Sequence, residues 1–162
     1  MNSANSVPAS PRLEELIRLW QGEHAELLRS IRETTLWIGQ LSDQSASYCD
    51  DLVKHMEQFR ERMLLHFDRE DALANELHGV YGCVEAESTR RRAEGDHLHL
   101  TRRVDELLVK LHSPADGFAS FQEAIQEISL FVDAVEQHEE EEAQGLEWLS
   151  SPCSESRPAS EF

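Results

Sequence analysis

The stretch "DLVKHMEQFRERMLLHFDREDALANEL", residues 51 to 77, contains neither glycine nor proline, and its apolar residues fall into two columns with a seven-residue repeat. One column reads Leu52, Phe59, His66, Leu73 and the other Met56, Met63, Glu70, Leu77. Two adjacent columns with this period are the seam of a helix packed in a bundle. The interruptions, His66 and Glu70, matter as much as the matches. An ionised carboxylate among apolar residues is costly unless it is paired or bound to a cation.

Outward from this stretch the same pattern recurs three times. The chain after it gives Ala86, Ala93, Leu100, Leu107 beside His97, Val104, Leu111. Further on come Phe121, Ile128, Val135, Glu142 beside Ala124, Phe131, His138, Gly145. Before it stand Leu13, Trp20, Leu27, Thr34, Leu41 beside Ile17, His24, Ile31, Ile38. Breaks at "GQLSDQS" (39 to 45), "HGVYG" (78 to 82) and "HSPADG" (112 to 117) suit helix stops followed by capping residues. The pattern predicts an all-α fold with helices near 12–40, 45–78, 84–112 and 116–149. Short connections between long helices predict an antiparallel up-down four-helix bundle over residues 12–149. The Ser/Pro-rich ends, 1–11 and 150–162, are expected to be flexible tails.

Each seam is interrupted by a histidine, and two also by a glutamate four residues later. With 23 Glu in 162 residues, eight histidines give about one such pair by chance, so two pairs alone say little. Their height in the bundle says more. In an up-down arrangement, at about 1.5 Å per residue, His24, His66, Glu70, His97, His138 and Glu142 all fall roughly 10–20 Å from one end. Four imidazoles and two carboxylates suit transition metals rather than Ca or Mg. Six donors exceed what a single tetrahedral zinc uses, whereas two ions sharing carboxylates would use them all.

Other residues are read more plainly. His97 continues into Val104 and Leu111, whereas the column of His99 (Glu85, Arg92, Glu106) is wholly polar, which places His99 on the rim. His55 is expected at a surface or flanking position, and His78 and His112 at helix ends. In the run "HEEEE", Glu139, Glu140 and Glu141 fall off the two columns and are expected to form a solvated acidic face. A formal net charge of -17, from 32 acidic against 15 basic residues, argues against a nucleic-acid partner, which needs a basic footprint. The arginines of "TRRRAEGDHLHLTRR" (89 to 103) read as one exposed helix side. No apolar run approaches the roughly 20 residues of a membrane span. Three cysteines without metal spacing and the lack of a signal-peptide pattern predict a cytoplasmic protein with free thiols.

The chain resembles the hemerythrin-like, or HHE cation-binding, family of four-helix non-haem di-iron proteins over about residues 12 to 149. The resemblance rests on the histidine of "GEHAELL", on His66 and Glu70 of "HFDRE", on His97 of "GDHLHL", and on His138 and Glu142 of "HEEEE". It implies a di-iron centre in which Glu70 and Glu142 bridge two irons and the four histidines complete the coordination. It also implies a small diatomic or peroxide ligand. Two departures count against simple oxygen carriage: Thr101 stands where the oxygen carriers have a further histidine, and Ala143 where they have aspartate. The pattern is nearer to family members that sense iron, oxygen or nitric oxide, or that serve iron–sulfur repair. This implies a metal- and ligand-binding protein more than a turnover enzyme. A ferritin-like oxidative enzyme typically needs two E-x-x-H motifs, of which only Glu94 to His97 is present. A metal-free or zinc-stabilised module that docks a protein through its acidic surface is the third alternative.

Overall fold

The computed structural model describes residues 11–41, 49–82, 84–113 and 117–146, and within them the protein is all-helical. The helices are α1 (Pro11–Gln40), α2 (Cys49–Tyr81), α3 (Val84–His112) and α4 (Phe121–Gly145). The expected tails lie outside the described residues apart from Pro11, as do Cys83 and Cys153.

The helix ends follow from local chemistry. Pro11 occupies the first helical position of α1, where its missing N–H has no intrahelical partner to lose. The second helix runs past its expected end at 78 to Tyr81. Gly82, with φ at +54°, then ends it, its N–H donating to the His78 carbonyl at 2.9 Å. The last helix begins at Phe121 rather than near 116, because Ser120 is its cap. The Ser120 side chain accepts from the Glu123 N–H at 3.1 Å, and the Glu123 carboxylate in turn accepts from the Ala119 N–H. Gly117 sits against the end of α3, so closely that a Cβ there would meet the Lys110 carbonyl oxygen at 2.3 Å.

Polar pairs between helices show their order. Between α1 and α2 these are Arg12–Glu76 at 3.3 Å, Glu23–Arg69 at 3.2 Å and Thr34–His55 at 2.8 Å. Between α2 and α3, His78 faces Glu87 at 3.5 Å, Asp71 faces His97 at 2.9 Å and Arg60 faces Asp105 at 2.6 Å. Between α3 and α4, Arg92 faces Glu142, Asp96 faces His138 and Lys110 faces Glu127. In every set the numbers fall on one helix as they rise on the other, an order compatible with up-down connectivity. Contact between α1 and α4 closes the ring.

The interior is divided. A large apolar cluster holds Leu27, Ile31, Met56, Phe59, Met63, Leu100, Val104, Ile128 and Phe131 among others, with Phe59 and Phe131 meeting edge to face at 6.0 Å. A smaller one holds Leu13, Trp20, Leu73, Leu77 and Leu146. Between the two lies a buried polar layer.

On the outside, Arg90 and Arg91 pair with Glu87, and Arg90 also with Glu94, as an exposed helix side should. No helix among the described residues is long and apolar enough to cross a membrane.

Candidate metal centre

The polar layer is supplied by all four helices. His66, Glu70, His97, His138, Glu139 and Glu142 are each buried, and His24 is half-buried at its edge. These residues replace apolar ones on the helix seams, so the packing that buries the seam buries them too. Exposed His99 stands outside the layer. His55 lies apart, stacked on Trp37 and bonded to Thr34.

Two donor groups emerge, each with its ligand atoms mutually within 4.8 Å. The first comprises His24, His66, Glu70 and Glu139. His24 Nδ1 lies 2.8 Å and His66 Nε2 2.7 Å from the same oxygen of Glu139, and His66 Nε2 is 2.9 Å from Glu70 Oε1. The second comprises Glu70, His97 and His138. His97 Nε2 lies 2.8 Å from Glu70 Oε2 and 3.2 Å from His138 Nε2, while His138 Nε2 is 3.5 Å from Glu70 Oε2. Glu70 therefore turns one oxygen to each group. Donors about 2.0–2.2 Å from one ion stand roughly 3 Å from each other, which is the spacing here.

Of the six residues singled out in the sequence, five enter these groups. Glu142 is buried but lies outside both, its Oε1 3.8 Å from Arg92 Nε. The expectation of a solvated face over 139–141 needs correction at its first residue. Glu140 is exposed and Glu141 half-buried, but Glu139 is fully buried against His24 and His66. The physical reason is width: a bundle helix buries more than two columns, and Ile125, Val132, Glu139 form a third. That run of sevens was readable in the sequence.

Neighbouring side chains orient the donors. Trp20 donates its indole N–H to Glu70 Oε1 at 3.1 Å and stacks on His24 at 5.0 Å. Asp71 takes His97 Nδ1 at 2.9 Å, and Asp96 lies 3.5 Å from His138 Nδ1. A carboxylate behind a ligand imidazole fixes its ring and tautomer. Phe67 stacks on His97 at 4.0 Å and presents its edge to His138.

The electrostatics are those of a layer in which buried imidazoles and carboxylates shift one another. Burial opposes charge on His66, but the Glu139 and Glu70 carboxylates outweigh it and raise its pKa to about 10. His97 is treated alike: burial lowers it, Asp71 and Glu70 raise it more, and it reaches about 9. Burial pushes Glu70 up, yet His138, His66 and His97 together hold it well below the usual carboxylate range. Glu142 goes the other way. Burial, then the Glu70 charge, raise it to about 7.

The fit to a metal can be judged from atoms that lack partners. Both nitrogens of His66, Nδ1 of His138, Oε1 of Glu139 and Oε1 of Glu142 are buried without a hydrogen bond. His66 Nε2 is close to two carboxylates yet off the line of a hydrogen bond to either. Buried polar atoms are nearly always satisfied, and a cation among them satisfies several at once. The donor set of imidazole and carboxylate fits a transition ion.

A cleft of about 200 Å³ between α3 and α4 reaches this layer, bordered by Asp96, Arg103, Gln137 and His138. Comparison of the chain with protein-family models, with curated proteins and with solved structures gave no match.

Proposed function

We propose that the chain is a hemerythrin-like protein: an antiparallel up-down bundle in which His24, His66, Glu70, His97, His138 and Glu142 hold two non-haem irons. In this reading it binds or reacts with a small ligand such as dioxygen, nitric oxide or peroxide, in sensing, iron handling or stress response in the cytoplasm. One observation carries the reading. Buried Glu70 stands between two donor groups and offers one carboxylate oxygen to each.

Bound iron supplies redox change and open coordination positions to a small ligand. Everything else falls to the chain. The histidines must be neutral to act as ligands, so metal uptake displaces the protons that His66 and His97 hold at neutral pH. Asp71 keeps the Nδ1 proton of His97 and leaves Nε2 directed at Glu70. Trp20 limits rotation of the Glu70 carboxylate by bonding its Oε1. Phe67 packs against both His97 and His138, and the cleft beside His138, at about 200 Å³, suits a small ligand better than a bulky substrate.

Anaerobic iron reconstitution of metal-free protein tests this. About two irons per chain are expected, with ligand-to-metal absorption that Glu70→Ala or His138→Ala abolishes. A folded chain without iron affinity would sink the proposal. Reversible binding or a single stoichiometric reaction with nitric oxide or dioxygen is expected, while sustained turnover would favour an enzyme instead.

A further inference from the structure

We infer that the two halves of the layer are unequal: His24, His66, Glu70 and Glu139 form a self-sufficient site that takes a divalent transition ion first and keeps it without a second ion. The site formed by Glu70, His97 and His138 fills only afterwards. This rests on the layer being a metal centre, and it adds Glu139 to the residues that hold it.

The donors decide the order. The first group has four, enough to complete a tetrahedral shell from protein atoms alone; the second has three. Charge points the same way. Two carboxylates, Glu70 and Glu139, balance a divalent ion, so the filled first site is neutral, and burying a neutral assembly is cheaper than burying a charged one. The second ion finds only the remaining oxygen of Glu70. Its balancing carboxylate is Glu142, which lies outside the group beside Arg92, so the side chain must shift before it can serve.

Glu139 is built for this role. It is wholly buried, one of its oxygens is approached by two imidazole nitrogens from different helices, and the other has no partner. A merely structural carboxylate would have both oxygens hydrogen-bonded. On the same side, Trp20 stacks on His24 and bonds Glu70 Oε1, so two of the four donors are braced by one indole.

Titration of the metal-free full-length chain with Co²⁺, followed by calorimetry and visible absorption, tests the order. Two phases are expected, the first taking one ion per chain at least about tenfold more tightly than the second. His97→Ala should keep the first phase and lose the second. Glu139→Gln should weaken the first by at least about tenfold. A single phase taking two ions, loss of the first phase in His97→Ala, or an unchanged first phase in Glu139→Gln would each overturn the inference while leaving a metal centre intact. Wild-type protein that binds no Co²⁺ overturns both this order and the metal-binding reading. Should Glu139→Gln not fold by circular dichroism, the wild-type and His97→Ala phases still decide.

Discussion

Glu139 and Glu142 stand three residues apart on α4, both buried, yet in different circumstances. The first has two imidazoles against it; the second has a raised pKa of about 7 and a guanidinium at 3.8 Å. A carboxyl whose folded pKa exceeds its unfolded value costs nothing at low pH. Its penalty grows as pH rises from 4.5 to about 7 and stays in full above that. Glu142→Gln should therefore stabilise the metal-free protein at pH 8 by on the order of 1–3 kcal/mol, and leave it unchanged at pH 4. Urea unfolding at the two pH values checks this. The same variant should weaken uptake of the second metal ion. Stabilisation of equal size at both pH values would show that charge on Glu142 is not the cause.

At the scale of the element, helix ends are local and their predictions are too. Ser120→Ala removes the α4 cap and should cost about 1 kcal/mol in denaturant unfolding, with metal affinity unchanged. Gly117→Ala should cost more than that, because the clash is with backbone at the end of α3 rather than with a movable side chain. Equal stability of the alanine variant would mean that the connection shifts freely.

The same scale shows what could be read beforehand. Helix number, the span of α3 and the burial of His66, Glu70, His97, His138 and Glu142 followed from the seven-residue columns, because burial of a helix face is periodic. The place of Glu139 was missed because two columns describe a narrower seam than a bundle helix buries; Phe67 and Ala74 on α2 belong to the same neglected third column. The start of α4 was missed because the cap at Ser120 outweighed the earlier turn residues. The separation of Glu142 from the donor groups had no local signal. The charge that Glu142 faces instead, Arg92, arrives from another helix.

For the whole molecule the layer sets how stability varies with pH. In the metal-free state, His66 and His97 bind protons more tightly folded than unfolded. The stability they contribute is complete below about 6.5 and is lost as pH rises through about 9 and 10. Glu70, held low, contributes above 4.5 and loses that contribution as pH falls. Glu142 adds its penalty in the same direction as the histidines. Metal-free protein should thus lose stability between pH 6 and 8, whereas metal-loaded protein should gain it, since ligation requires the protons to leave. Melting temperatures with and without chelator across that range would show slopes of opposite sign. Parallel slopes would exclude the layer as the metal's binding place.

The divided interior has a mechanical consequence as well. Two oil-like blocks with a sheet of charge between them have a natural parting plane, and the blocks are unequal. Among the described residues the shorter apolar block buries Leu13, Trp20, Leu73, Leu77 and Leu146, with Leu16, Ile17 and Tyr81 packed against them, against eighteen buried residues in the larger one. In the metal-free protein the short end should open on its own. Amides at 13–20 and 73–80 should then exchange with deuterium at least about tenfold faster than those at 27–38 and 52–63. If the layer takes metal as proposed, loading it should bring the two rates together, the ions then serving as rivets through the lamination.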